Sequence, residues 1–308
     1  MAPAAAQDAS PHKIQFVTVQ DGVKLEVLDW GGTGTPLVLM SGLGNTAHDF
    51  DSFVPKLTGK HHVFGITRRG FGASDKPAPS YENYNPDRLG DDVMAVMSAL
   101  NMSKPVLAGH SIAGQEMSSI GSRFSDRVAG LIYLDAGYEY AAYDPKHADG
   151  STRYGVEMEM YTLQDDLRRL PRVPPDQARA LIAEIQEIMP RLQKLLKSYA
   201  PQDAVADRAA RPQLWVSVDA VDSIKKKYGT LHLPVLAIFA VPQKCTKDCD
   251  SPDAKIWAAD QAASADAFEA VNPRARVVRL GNSRHSVWKS NEDEVLREMN
   301  AFMDGLPR

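Results

Sequence analysis

The chain has 308 residues, of which 44% are hydrophobic and 24% are charged, a composition typical of a globular protein with a large buried core. Its formal net charge of -4 excludes the basic surface with which nucleic-acid-binding proteins hold phosphates, and the run Lys225 to Lys227 is typical of a solvated helix face. The longest apolar stretches, such as PVLAIFAVP, are strand-sized and bounded by proline, which excludes a membrane span. We therefore expect one core domain carrying an insertion.

The N-terminal segment is rich in alanine and proline. Ala4 to Ala6 before Gln7 resemble the end of a secretory signal that lacks its charged and apolar regions, although a frayed terminus has the same composition. We expect residues 1–12 to be flexible. The pattern favours an exported protein, periplasmic or secreted with its leader removed, over a cytoplasmic one.

The core elements follow a regular order along the chain. KIQFVTV and VKLEVLDW flank Asp21-Gly22, which predicts an antiparallel hairpin at a sheet edge. Later apolar runs are strand-sized and rich in branched residues, and helical patterns separate them. This alternation predicts an α/β fold, a mostly parallel central sheet with helices on both faces. The predicted strands begin at Pro36, His62, Pro105, Gly130, Pro234 and Ala275.

The interval from 138 to 232 breaks this order because it contains no clear parallel-strand signal. A helical stretch with apolar residues at helical spacing, from Leu181 to Leu195, lies within it and is expected to be interrupted by Pro190. We predict a helical cap or lid at 138–232, inserted between core segments 13–137 and 233–308. Most of its apolar stripe is expected to pack within the lid, and part of it to roof a cleft.

The closing helix carries its own start signal. Ser290 followed by Asp293 resembles a capping box, and the apolar residues from Val295 to Met303 form one stripe. The sequence therefore predicts that Ser290 caps this helix.

Ser111 lies in PVLAGHSIAG, directly after a predicted buried strand and directly before a predicted helix. A sharp strand-to-helix turn exposes a serine hydroxyl, and small residues two positions away on each side let the turn pack. Gly109 fits this pattern, whereas Ala113 stands in place of the second glycine and Gly114 follows it. The pattern predicts a nucleophile elbow, although a helix-capping serine also occurs in this context.

The elbow and two further segments together resemble the α/β-hydrolase fold superfamily. PLVLMSGLGNTAHDF, residues 36–50, is similar to the loop with which members donate an oxyanion amide, and ITRRGFGASDKP, residues 66–77, is similar to their Arg-Gly-x-Gly-x-Ser stretch. The resemblance spans nearly the whole chain except the lid. It implies an oxyanion hole formed by the backbone N–H groups of Leu43 and Ile112. Ser41 departs from the histidine that many members carry before the loop glycine.

A serine hydroxyl needs a neighbouring base, and His285 is the strongest candidate among eight histidines. It follows the last predicted strand and precedes the final helix, where the superfamily keeps its base. His110, next to the serine, is expected to pack in support of the site. The remaining histidines lack the required placement: His12, His48, His61, His62, His147 and His232.

The third member of a triad is a carboxylate that orients the histidine. Gln243 occupies the position where superfamily members commonly carry this acid. Asp135, at the end of the preceding predicted strand, is the favoured replacement because a strand end is rigid. Asp248 and Asp250, later in the loop after Gln243, remain alternatives, and Asp135 also fits an ordinary loop-capping residue.

The same loop contains both cysteines of the chain, Cys245 and Cys249. A bend in the loop would bring them within reach of a disulfide, and such bonds favour export. Two cysteines without a partner pair are a weak metal-site pattern, so no metal is predicted.

These residues predict a serine hydrolase with Ser111 as nucleophile, His285 as base and Asp135 as orienting acid, acting without a cofactor. A small carboxylic ester is the first substrate class, with lactones, amides and carbon–carbon bonds as alternatives. The serine argues against epoxide hydrolases and haloalkane dehalogenases of this fold, which use an aspartate nucleophile. A non-catalytic ligand-binding protein and an aminopeptidase of the proline-iminopeptidase kind are the rival hypotheses.

Overall fold

The computed structural model of the protein describes residues 11–138, 141, 163, 166–167, 170–196, 209–222, 228–246, 249–250 and 252–307. Its strands coincide with the predicted apolar runs to within a residue or two. They are β1 (Lys13–Gln20), β2 (Val23–Gly31), β3 (Pro36–Met40), β4 (His62–Ile66), β5 (Val106–His110), β6 (Gly130–Leu134), β7 (Val235–Phe239) and β8 (Arg276–Arg279).

The strands form one eight-stranded sheet in the order β1-β2-β4-β3-β5-β6-β7-β8. β1 and β2 form the predicted antiparallel hairpin at one edge, and β2 also runs antiparallel to β4. The pairings from β4 through β8 are all parallel. The predicted fold class is confirmed. Because parallel strands end at the same edge, residues that follow β5, β6 and β8 converge there.

Helices cover both faces of the sheet. α2 and α3 pack on one face, and the short α7 with α8 packs on the other, each against a separate apolar cluster. The helices described are α1 (Tyr81–Tyr84), α2 (Pro86–Ala99), α3 (Ala113–Arg123), α4 (Pro175–Leu196), α5 (Pro212–Asp222), α6 (Pro252–Val271), α7 (Val287–Ser290) and α8 (Glu292–Asp304). Short 3-10 turns occur at Ala47–Phe50, Val54–Lys56, Ser125–Arg127 and Leu170–Arg172.

The two apolar clusters arise from the alternation of side chains along each strand. In β5, Leu107 belongs to the cluster that contains α2 and α3, while Val106 and Ala108 belong to the opposite one. All three side chains are fully buried. The rigid inner strands therefore place the residues at their carboxyl ends with little freedom, which is what a catalytic site requires.

Two local predictions were wrong. The capping residue of α8 is Asn291, and Ser290 is the last residue of α7 instead. Pro190 does not interrupt the predicted helical stretch, because α4 continues through it from Pro175 to Leu196. Ile188 and Leu192, on either side of Pro190, are both buried, so packing of α4 outweighs the backbone hydrogen bond lost at the proline.

The described part of the interval 138–232 contains α4 and α5. Leu181, Ile188 and Leu192 on the predicted stripe of α4 are buried. Much of the predicted lid lies outside the described residues, as does the N-terminal segment up to residue 10. Of the helices that can be described, none combines the length and the apolar character needed to cross a membrane.

Candidate active site

Ser111 lies on the turn between β5 and α3, with a φ of 54°. This left-handed conformation is uncommon for a residue with a side chain and is found at strained functional turns. The turn is held at both sides: the Ser111 N–H donates to the carbonyl of Leu134 at 3.4 Å, and its carbonyl accepts from the N–H of Gly114 at 2.9 Å. The geometry is that of a nucleophile elbow.

Small residues let this turn approach its neighbours. A Cβ atom on Gly114 would lie 1.9 Å from the carbonyl oxygen of Ala136, so no other residue fits there. A Cβ on Gly109 would lie 2.9 Å from that of Ala113. The extra methyl of Ala113 is thus accommodated because Gly109 opposite it has none, and Gly114 supplies the close contact with Ala136 in the segment after β6.

Asp135 and His285 are brought together at the same sheet edge. Asp135 follows β6, is fully buried, and accepts a bond of 2.6 Å from His285 Nδ1 on its Oδ2. Its Oδ1 accepts the N–H of Ala240 at 2.9 Å, and its own N–H donates to Ile238 at 2.7 Å. Asp135 also has a positive φ, of 47°. The carboxylate is therefore fixed from both sides and orients the ring.

The bond to Asp135 determines which ring nitrogen of His285 can act on a substrate. Because Nδ1 donates to the carboxylate, Nε2 is the nitrogen left to accept a proton from a hydroxyl. The side chain of His285 is 43% exposed, so the ring is open to solvent although Asp135 beneath it is fully buried.

The loop that carries His285 is braced by Ser290. The Ser290 hydroxyl accepts the N–H of Arg284 at 2.9 Å and lies 3.0 Å from the hydroxyl of Ser283. The carbonyl of Ser283 in turn accepts the N–H of Lys244 at 2.6 Å. Ser290 therefore stabilises the histidine loop, which explains why it does not cap α8 as the sequence predicted.

His110 packs directly against His285, with ring centroids 4.4 Å apart, and its Nε2 lies 3.2 Å from the His285 carbonyl oxygen. Trp288 contacts its ring edge-on. Burial lowers the pKa of His110 well below its ordinary value, and the nearby His285 and Lys289 lower it further, against a smaller opposing effect of the carbonyl bond. His110 is thus a neutral support for the histidine.

This burial predicts a pH-dependent stability. His110 stays neutral in the folded protein but protonates near 6.5 when unfolded, so its contribution is complete above that pH and is lost progressively below it. The slope from one such group approaches about 1.4 kcal/mol per pH unit. Urea unfolding between about pH 8 and pH 5 should therefore show a shallower loss of stability in His110→Asn than in the parent. Equal slopes would contradict the assignment.

The loop predicted to donate an oxyanion amide lies beside Ser111. A Cβ on Gly42 would lie 3.4 Å from Ser111 Cβ and 2.7 Å from His110 Nδ1, so glycine is required for this approach. Asn45 N–H donates to the Gly42 carbonyl at 3.2 Å and Gly44 has a φ of 79°, as in a type II turn around Leu43. Within the described chain, the N–H groups of Leu43 and Ile112 donate to no protein acceptor.

Helix α5 lies over this loop. A Cβ on Gly44 would lie 3.6 Å from Leu214 Cδ1, and one on Gly70 would lie 3.2 Å from Gln213 Cβ. Helix α5, part of the interval predicted as a lid, therefore lies next to the turn that contains Leu43 and Gly44.

Of the alternative acids, Asp250 is described, and it does not contact His285. Gln243 instead accepts bonds from Trp257 Nε1 at 3.3 Å and Gln261 Nε2 at 3.2 Å, which anchors its loop to α6. Asp250 is fully exposed and lies 4.0 Å from Lys255. Asp248 lies outside the described residues.

Cys245 and Cys249 form a disulfide, with their Cα atoms 5.7 Å apart. The disulfide lies in the loop that begins at Gln243. Gln243 itself forms a parallel β-bridge with Ser283 in the loop that carries His285. Within the described ranges, no three His, Cys, Asp or Glu side chains are grouped so as to hold a metal ion.

Sequence reasoning missed two buried charged residues near the site. Arg68 and Glu116 form an ion pair, and Arg68 also contacts the carbonyl of Ser41 in the oxyanion loop. Glu116 stands among helix residues that face the core, and a carboxylate in such a position is the signal that could have identified it.

A mostly parallel sheet with a strained serine after one inner strand, and with an acid and a histidine at the same edge, defines an α/β hydrolase architecture. The chain belongs to the alpha/beta hydrolase family, whose family model matches residues 37–298.

Individual relatives are distant. The chain is 21% identical over 300 residues to Lipase 3 of Moraxella sp. (strain TA144), a match that covers 96% of this chain and 86% of that protein. It is 30% identical over 124 residues to the bifunctional esterase/perhydrolase DCH of Acinetobacter calcoaceticus, covering 39% of this chain and 44% of that protein.

The fold is also similar to a solved serine hydrolase involved in carbazole degradation, the CarC enzyme. The TM-score is 0.60 at 17% identity, covering 96% of this chain and 99% of the other. At this identity the likeness concerns the fold alone. Together with the family match, it establishes a hydrolase family without fixing a substrate.

Proposed function

We propose that the protein is a serine hydrolase that cleaves carboxylic esters through an acyl-enzyme. Ser111 Oγ attacks the ester carbonyl while His285 Nε2 takes the hydroxyl proton. The resulting oxyanion accepts bonds from the N–H groups of Leu43 and Ile112. The intermediate then expels the alcohol, which receives the proton from His285, and water releases the acyl group by the same steps in reverse order.

The observation that carries this proposal is the 2.6 Å bond between His285 Nδ1 and the buried Asp135 carboxylate, at the sheet edge where Ser111 lies. The neutral amide of Gln243 could not stabilise the imidazolium that forms when His285 takes a proton. Asp135 supplies that negative charge, whereas Gln243 contacts α6. In this proposal the orienting acid is Asp135 after β6, and not a residue after β7 where superfamily members commonly carry it.

The backbone around the serine supports the same chemistry. The N–H of Ile112 lies at the amino end of α3, where helical N–H groups have no partner within the helix and favour negative charge. The N–H of Leu43 comes from a turn in contact with Ser111. Two fixed donors near a developing oxyanion lower the barrier without reorganisation.

An ester is favoured as substrate because its cleavage requires nothing beyond these groups, and the names of the lipase and the esterase among the relatives point the same way. Epoxide hydrolases and haloalkane dehalogenases of this fold use an aspartate nucleophile, and this chain has Ser111 there. We also propose that residues 138–232 act as a lid, since Leu214 of α5 approaches Gly44 beside the site.

A panel of p-nitrophenyl esters of increasing acyl length tests this function. We expect turnover of esters, with a maximum in kcat/KM at the acyl length that fits beneath the lid, and no turnover above background in Ser111→Ala. The matching p-nitroanilides and a simple lactone serve as comparisons. Turnover of an anilide or lactone with no ester cleaved would contradict the proposed substrate class.

A further inference from the structure

Arg68 joins the two sides of the site through a single guanidinium group. It follows β4 and is almost completely buried, with its side chain 5% exposed, as is Glu116 on α3 at 3%. Arg68 Nε donates to Glu116 Oε1, and Arg68 Nη2 donates to the Ser41 carbonyl at 3.2 Å. One contact is with the helix that begins beside Ser111, and the other is with the oxyanion loop.

A buried ion pair such as Arg68 and Glu116 is not in itself a source of stability. Removing two charges from water is costly, and apolar residues of similar volume often stabilise a core as well as a buried pair does. Burial raises the pKa of the Glu116 carboxyl, an effect that the adjacent Arg68 opposes. The presence of this pair in the core is therefore better explained by the positions that its directional bonds impose.

The pair is also not positioned to hold substrate. Arg68, Glu116 and Ser41 line a cavity of about 10 Å³. Such a volume admits about one water molecule and neither an acyl nor an alcohol group. The contacts through which the pair can influence the site are therefore those with the oxyanion loop and with α3.

That backbone carries both proposed oxyanion donors. Ser41 lies two residues before Leu43, and its hydroxyl donates to the Asn45 carbonyl at 3.2 Å, across the turn that contains Leu43. Glu116 lies four residues after Ile112, about one turn further along α3. One path of contacts from Leu43 to Ile112 thus runs through Ser41, Arg68 and Glu116.

We propose that Arg68 and Glu116 are positioning residues that set the separation of the two halves of the oxyanion hole. The inference rests on the proposed serine-hydrolase function. The planar guanidinium fixes the angle between its two bonds, so it fixes the oxyanion loop relative to α3. A lysine ammonium has no such fork. The oxyanion forms only after attack, so misplacement of its donors weakens transition-state binding more than substrate binding.

The neighbouring pair Arg69 and Asp92 provides a matched control. Arg69 is fully buried, donates to Asp92 Oδ2 at 2.6 Å, and has a further bond to Gln20. Its hydrogen bonds are to Gln20 on β1 and Asp92 on α2, and within the described chain none of them reaches the oxyanion loop. Arg69→Lys therefore disturbs an equally buried ion pair in the same segment without loosening the loop.

The experiment compares Arg68→Lys with Arg69→Lys on the best p-nitrophenyl ester, and measures the inhibition constant of an alkyl boronic acid, whose tetrahedral adduct mimics the intermediate. For Arg68→Lys we expect kcat to fall by roughly 10-fold or more with KM nearly unchanged, and boronate affinity to fall in parallel. For Arg69→Lys we expect unchanged kcat and boronate affinity in the folded protein.

If Arg68→Lys does not fold, the double substitution R68M/E116L replaces the pair without leaving a lone buried charge, and its kcat should show the same loss. Equal kcat and boronate affinity in the parent and the folded Arg68 variant would overturn the inference while the parent still hydrolyses esters. A parent without turnover or Ser111 labelling would instead overturn the proposed function, and this inference with it.

Discussion

Replacing Ser111 with alanine is expected to lower kcat for the best ester by about 10⁴- to 10⁶-fold, the range found when a serine hydrolase loses its nucleophile. Alanine keeps the backbone but removes the side-chain hydroxyl that the strained turn between β5 and α3 presents. The remaining rate would come from the oxyanion donors and from substrate binding. Initial rates at saturating substrate measure the effect.

The matched control for this change is Ser122→Ala. Ser122 lies on the same helix, α3, but is exposed to solvent. The kcat of the Ser122→Ala variant should equal that of the parent. A residual rate in Ser111→Ala close to that of Ser122→Ala would show that Ser111 is not the nucleophile.

Replacing Asp135 with asparagine is expected to lower kcat by about 10⁴-fold, as the corresponding change does in serine proteases. The amide preserves size but removes the charge that stabilises the imidazolium of His285, and its NH₂ group can select the wrong ring tautomer. Asp135 is fully buried, so solvent cannot replace the lost charge. The measurement compares kcat of Asp135→Asn with kcat of the parent protein at the same pH.

Asp248→Asn and Asp250→Asn test the specificity of that effect. Asp250 is fully exposed and lies 4.0 Å from Lys255, so its neutralisation should leave kcat unchanged. We expect the same of Asp248. A large loss in either loop variant, together with a small loss in Asp135→Asn, would move the orienting acid to the loop after Gln243.

The sheet and the pair of Asp135 and His285 could be predicted because their signals are local. Inner strands appear as short apolar runs, and parallel strands necessarily bring their carboxyl ends together. Asp135 directly follows such a run, and His285 lies in the loop after β8. Their contact, across 150 positions in the sequence, then follows from strand order.

Tertiary contacts explain where sequence prediction failed. Ser290 fits a capping box, but its hydroxyl is used by Arg284 in the histidine loop. The bond between Arg68 and Glu116 joins residues 48 positions apart, and nothing near either one indicates its partner. Gln243 stands where superfamily members commonly carry the orienting acid, and its contact with Trp257 shows that it anchors a loop instead.

The central claim is that Ser111 is an activated nucleophile, and labelling with a fluorophosphonate probe tests it most directly. Intact-mass analysis should show one probe per chain, and peptide mapping should place it on Ser111, with no adduct in Ser111→Ala and a much slower reaction in Asp135→Asn. Folded protein that gains no adduct, or gains one at another residue, would contradict the account and favour a ligand-binding role.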